Sequence, residues 1–365
     1  MTCTRHWARS AGLALILTAA PFVAASPAVA AADGGHVYVQ TNAVGGNAVV
    51  SFERGADGSL TYEETVATGG LGITSGLGSQ APLAITAGEE HLLVVNAGSD
   101  DVSLFEIDDD GLELADVQPV GDRPVSVTVD GHIVYVLNQG ADTIQAVRIT
   151  DEDTLVNIPN SSRPLSGTET GAAQVAFSPN GRVLAVTEKA TNRIDTYVVR
   201  PNGRAIGPKV HDSSGPVPFG FGFGPDGRLY VSEAPVSAAS SYDVGTGGSL
   251  DVISASIPNG QTAACWLVGT SDGRFAYTAN AGSANVSQYT IASNGALALV
   301  GDGANGATDP GPVDLDVSDG DGYLYVLNSR SGSISAFSIA PADGSLTAIP
   351  GAAGFAAGWA GLVAV

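Results

Sequence analysis

Asp272-Gly273-Arg274-Phe275-Ala276-Tyr277-Thr278-Ala279-Asn280 is followed, after a small polar loop, by Val286-Ser287-Gln288-Tyr289-Thr290-Ile291. The first run opens on an Asp-Gly pair, which tolerates positive φ. Its apolar residues close on a polar one, and the second run alternates with an aromatic in its middle. Together they read as a β-hairpin. The same hairpin returns as Asp321-Gly322-Tyr323-Leu324-Tyr325-Val326-Leu327-Asn328 with Ile334-Ser335-Ala336-Phe337-Ser338-Ile339. Seven copies occur in all. The polar marker falls at Asn42, Asn96, Asn138, Glu188, Glu233, Asn280 and Asn328, at intervals of 54, 42, 50, 45, 47 and 48 residues. A second marker falls at Phe52, Phe105, Val147, Tyr197, Tyr242, Tyr289 and Phe337, 10 residues after the first marker in the first copy and 9 in the other six. A fixed offset inside a variable period describes a rigid hairpin carried on loops of variable length.

Each hairpin is flanked by two further runs. An apolar run precedes it, as in Gln174-Val175-Ala176-Phe177-Ser178-Pro179-Asn180-Gly181, and an outer run follows it, as in Ser345-Leu346-Thr347-Ala348-Ile349. Four short strands in ~40–50 residues make one propeller blade. The expectation is an all-β, seven-bladed β-propeller with four antiparallel strands per blade. The first copy lacks an innermost strand before Gly35, and the chain finishes on Trp359-Ala360-Gly361-Leu362-Val363-Ala364-Val365. That C-terminal strand is expected to complete the first blade and close the ring.

Composition agrees. The 365 residues include 48 Gly and 19 Pro, which penalise helix interiors. Acids outnumber bases 37 to 15, so a basic nucleic-acid-binding face is excluded. Two Cys cannot build a disulfide framework. Arg5 and Arg9 precede an apolar run from Ala11 to Ala25, and Ala28-Val29-Ala30 supplies the small residues of a cleavage site. Residues 1–30 therefore read as a secretory signal cleaved near Ala30, with residues 31–365 as a single propeller domain in the extracellular or periplasmic space. No later stretch is long and apolar enough to span a membrane. A monomer is expected.

The short Asp-Gly and Asn-Gly turns fall on one face of such a ring, and the long variable connections on the other. That open face is where binding is expected. The end of each second strand and the start of each innermost strand point there. Glu188 and Glu233 replace Asn in two adjacent blades, and a partly desolvated carboxylate there is a candidate general base. Lys189, Asn192 and Arg193 share the loop after Glu188, and His211 lies in the connection between the two Glu-bearing blades. Arg123, Gln174, Trp266 and Asp314 come from innermost strands and their loops. Trp266 reads primarily as an axial plug. Cys/His metal spacing, an EF-hand loop, a phosphate-cradling Gly-Lys-Ser motif and a Gly-x-Ser-x-Gly elbow are all missing.

The element Gln174-Val175-Ala176-Phe177-Ser178-Pro179-Asn180-Gly181-Arg182, running into Thr187-Glu188-Lys189-Ala190-Thr191-Asn192-Arg193-Ile194, resembles the seven-bladed lactonases. That family includes 6-phosphogluconolactonase and the carboxymuconate lactonizing enzyme. The resemblance runs through the whole blade repeat. It implies metal-free lactone opening or closing on the open face by His, Glu and Arg side chains, with no cofactor and no metal. Glu188 and Arg193 match the acidic and basic positions, while Gln174 stands where the family usually has His. Glutamine orients a water or carbonyl but carries no proton at neutral pH.

The N-terminal signal and the resemblance together lead to the expectation of a secreted hydrolase of a sugar- or carboxylate-type lactone, although secretion itself departs from a family whose phosphorylated sugar lactones are cytoplasmic. Glu188 would activate water, with His211 as the other proton carrier. Gln174 and Asn192 would orient the substrate beside Glu233, Trp266, Arg123 and Asp314, and Arg193 or Lys189 would steady the oxyanion. The alternatives are a non-catalytic propeller for a protein, glycan or cell-wall ligand, and a calcium-dependent lactonase with an axial metal.

Overall fold

A computed structural model describes residues 34–365, and the expected secretory signal lies outside these residues. The described chain forms seven antiparallel sheets. Five are four-stranded, and the third and sixth have their outermost strand broken into two pieces, Leu155–Asn157 with Arg163–Pro164 and Leu297–Leu299 with Gly306–Ala307. Consecutive strands within a blade are neighbours, as short turns dictate. The one long-range pairing closes the ring. Ala360–Ala364 lies antiparallel to Gly35–Gln40 as the innermost strand of the first blade. Val365 N donates to His36 O at 2.9 Å, and Arg54 Nε donates to Val365 O at 3.0 Å.

The core lies between blades. The second markers Phe52, Phe105, Val147, Tyr197, Tyr242, Tyr289 and Phe337 are all buried. Each contributes about 1.5–3 kcal/mol when fully withdrawn from water. A tyrosine in the second strand of three blades bolts onto the outer turn of the next. Tyr135 Oη donates to Gly203 O at 2.8 Å, Tyr277 Oη to Gly344 O at 2.7 Å, and Tyr325 Oη to Gly58 O at 2.8 Å. The last of these crosses the seam between the seventh and first blades.

The register explains the odd offset in the first copy. Asn96, Asn138, Glu188, Glu233, Asn280 and Asn328 each lie opposite the first residue of the third strand. In the first blade that place, opposite Ala48, belongs to Thr41, whose N donates to Ala48 O at 2.9 Å. Asn42 sits one residue further on, in the left-handed region at φ 51°.

Candidate functional site

An innermost strand pairs on one side only, so its axial edge carries free N–H and C=O groups that need partners. Polar side chains of neighbouring blades supply them. Val175 N and Phe177 N donate to Ser126 Oγ and Thr128 Oγ1, both at 3.2 Å. Gln174 accepts from Phe221 N at 2.7 Å and donates to Phe221 O at 3.0 Å. Asp314 accepts from Leu362 N at 3.2 Å, and Asp316 from Ala364 N at 3.1 Å. The closing strand is thus strapped to the seventh blade by two carboxyl groups.

The connection from the first blade to the second, residues 69–82, turns inward and plugs the axis. Asn42 anchors its base, accepting from Ile73 N at 2.9 Å and donating to Ser75 O at 3.0 Å. Further in, Ser79 Oγ donates to Val125 O at 2.7 Å and Gln80 N to Ala173 O at 3.0 Å. Gln80 also reaches the sixth blade, donating to Leu267 O at 2.8 Å and accepting from Leu267 N at 3.0 Å. Gly220 leaves room for that side chain, because a Cβ there would run into Gln80 Oε1. Trp266 Nε1 donates to Ser79 O at 2.8 Å. Lys189 Nζ donates to Gly78 O and lies 4.7 Å from the centroid of the Phe219 ring. Trp266 is thus tied to the plugging loop, which the sequence read as an open-face connection.

The plug leaves two compartments. Below it lies a cavity of about 370 Å³ lined by Gln80, Gln174, Asp314, Asp316, Phe177 and Phe223, among others. Phe223 ends its strand and Pro179 lies in the turn that follows strand Ala172–Phe177, so this cavity reaches toward the short-turn face. Above the plug lies a cavity of about 240 Å³ whose wall includes Leu77, Phe219, Trp266 and Trp359.

Asp314 and Asp316 are two apart on one strand, so both side chains point to the axis about 6.5 Å apart along it. Their environments differ. Asp314 is 1% exposed, and burial pushes its carboxyl well above the usual range despite the Leu315 and Leu362 amides. Asp316 is half-buried against the cavity, and burial pushes it up to about 7. Two carboxyl groups poised differently on one wall can divide the roles of acid and base.

Several expected site residues lie elsewhere. Glu188 does not face a mouth. It is fully buried and accepts from Ser166 N at 2.9 Å and from Ser166 Oγ and Thr191 Oγ1 at 2.5 Å each. It fills the hub that Asn96 fills in the second blade, where the amide donates to Asp101 and Ser103. Asp195 stands opposite, where other blades have Ser103 or Ser287. Burial and the adjacent Glu188 push it up to about 8, and neither of its oxygens meets a donor among the described residues. Glu233 is likewise fully buried, bonded by Ser240 and Ser256 hydroxyls. His211 is on the outermost strand Ala205–Asp212, far from the axis, with Nε2 at 2.9 Å from Gly248 O and 3.1 Å from Thr196 Oγ1. Arg193 reaches Ser166 Oγ at 3.4 Å within the hub. Asn192 holds a turn, accepting from Val217 N at 2.7 Å. Arg123 sits at a rim turn with φ 52°, its N donating to Asp100 Oδ1 at 2.8 Å. Of the expected residues, the structure brings Gln174 and Asp314 to the lower cavity, and Trp266 to the upper one with Lys189 behind it.

Asp316 and Gln80 were missed. The alternation Asp314-Leu315-Asp316 carried a signal for the first. Gln80 carried none, because its partner is 187 residues away. No cluster of three or more His, Cys, Asp or Glu able to hold a metal occurs among the described residues.

A closed ring of seven four-stranded blades with polar straps around its axis defines a seven-bladed β-propeller. The model of the seven-bladed β-propeller lactonases matches residues 17–267 and 236–358, and the chain belongs to that family. No curated protein matches the chain. Among solved structures it is similar to a Bacteroides fragilis protein described as a candidate 6-phosphogluconolactonase, with 20% identity, 92% of this chain and 99% of that chain covered, and a TM-score of 0.74. It is similar also to the periplasmic gluconolactonase of Pseudomonas aeruginosa, with 19% identity, 90% and 98% coverage and a TM-score of 0.68. Virginiamycin B lyase of Staphylococcus aureus shares the fold more distantly, at 16% identity, 74% and 84% coverage and a TM-score of 0.52. At these identities the likeness concerns the fold, and the reaction has to be argued from the site.

Proposed function

We propose that the protein is a secreted lactone hydrolase working in the lower axial cavity. The observation that carries this reading is the pair Asp314 and Asp316 facing a cavity of ligand size, beside Gln174. Gln174 is the position where the family resemblance puts its His. In this reading the Asp316 carboxylate takes a proton from water, and the hydroxide attacks the ring carbonyl. The tetrahedral intermediate expels the ring oxygen, and the protonated Asp314 carboxyl gives that alkoxide its proton. The product is a hydroxy acid, and solvent returns both groups to their starting states. An unphosphorylated sugar lactone suits the lining, which includes no Lys or Arg to pair a phosphate. The test is a panel of γ- and δ-lactones, followed by pH-stat or hydroxamate trapping. Turnover of a sugar lactone by the wild type, lost in Asp316→Asn, supports the proposal. Undiminished turnover in that variant removes Asp316 from the mechanism. The leader is checked separately, by N-terminal sequencing of protein from the culture fluid, with a start near Ala31 expected.

Gln174 favours a second reading, a non-catalytic binding propeller. Both ends of its amide are occupied in strapping the fourth blade to the fifth. Saturable binding of a lactone or glycan with no ring opening on the whole panel would establish that reading instead.

A further inference from the structure

The upper cavity has no carboxyl or carboxamide side chain in its wall, whereas the lower one has Gln80, Gln174, Asp314 and Asp316. Phe219, Trp266 and Trp359 give it three aromatic walls, and Leu77, Pro82 and Val313 fill the spaces between them. Phe219 and Trp266 meet edge to face at 5.2 Å, and Trp359 is stacked on Phe355 at 4.4 Å. The aromatic surfaces are therefore braced from behind and do not fold onto one another to close the space. Three polar groups of the wall are already engaged. Ser79 O accepts from Trp266, Gly78 O accepts from Lys189, and Ser329 Oγ accepts from Gly358 N at 3.2 Å. Lys189 stands behind Phe219 with its ammonium on the ring face, and burial pulls it down to about 8. A polyol placed here would find few free partners, and each hydroxyl group left unpaired costs about 1–3 kcal/mol. An apolar ring would meet aromatic faces and release the water held against them.

We infer that this upper cavity is a separate binding site for an uncharged, apolar, ring-bearing small molecule. It is divided from the lower cavity by the plug. The site does not depend on lactone chemistry below the plug, and its readout does not involve turnover. Trp266 and Trp359 are the tryptophans of the described residues, and both line it. Their emission therefore reports occupancy directly.

The experiment titrates the protein with N-phenyl-1-naphthylamine, a neutral apolar probe, and follows tryptophan emission and energy transfer to the probe. Saturable quenching with a single site is expected. Val313→Phe fills the cavity and Trp359→Leu removes one wall; each should weaken the probe at least tenfold. Both lie at the open end, and their folding is checked by the melting curve. A titration with gluconolactone should leave tryptophan emission unchanged. Linear, non-saturating quenching, equal affinity in folded Val313→Phe, or a saturable response to gluconolactone in place of the apolar probe would each overturn the inference.

Discussion

The molecule holds two pairs of closely placed, inward-facing carboxyl groups, and they do opposite work. Glu188 and Asp195 lie sealed in the hub of the fourth blade, fully withdrawn from solvent, with Glu188 bonded to Ser166 and Thr191. Asp314 and Asp316 lie on the axis and line a cavity. Proton affinity alone does not distinguish Asp195 from Asp316, since burial raises the first to about 8 and the second to about 7. Access does. A carboxyl group that meets only its own blade acts on stability, whereas one that meets a cavity of ligand size can act on a substrate.

This contrast breaks first under substitution at the axis. Asp316→Asn keeps an oxygen to accept from Ala364 N, so the melting temperature should move by no more than about 2 °C. Loss of the general base should cut kcat by about 100-fold or more. Glu188→Ala should show the reverse. It leaves Ser166 and Thr191 without their acceptor inside the hub, and a loss of about 2–4 kcal/mol in urea unfolding is expected. Turnover per folded molecule should be unchanged. A dead but stable Glu188 variant would erase the contrast.

The pH dependences sharpen it further. Burial raises the folded-state pKa of Asp195 from the usual carboxylate value of 3.8 to about 8. The native state therefore holds more protons than the unfolded chain between these values, and stability falls as pH rises from about 4 toward about 8. Asp195→Asn should flatten the melting temperature across pH 5 to about 8 and raise it at the alkaline end, by differential scanning calorimetry. The smallest expected effect is on the axis. There kcat/KM should climb with pH to a plateau above about 7, as Asp316 loses its proton.

The blades and their closure were legible in the sequence. A strand advertises itself by alternation, and a fixed offset of 9 residues between Asn96 and Phe105, or Asn280 and Tyr289, survives any change in loop length. The ring closure was legible because the first blade lacked a strand that the last residues supplied. The direction of Glu188 was not legible. Its place at the end of a second strand is fixed by spacing, but whether it turns to a mouth or to Ser166 depends on a loop 22 residues away. The same holds for His211. Its position between two blades read as an open-face connection, yet the outer strand continues through it to Asp212. The plug was read as a Gly-rich open-face loop, because Gln80 and Ser79 find their partners across the ring, on Leu267 and Trp266. Gln174 and Asp314 were found because innermost strands bring their polar residues to the axis whatever the loops do.

The most direct test of the central claim is a single-turnover comparison of wild type and Asp316→Asn on the best lactone of the panel, at pH 8. The account predicts ring opening by the wild type and a fall of about 100-fold or more in the variant, with superimposable melting curves. Equal rates in the two proteins would contradict it.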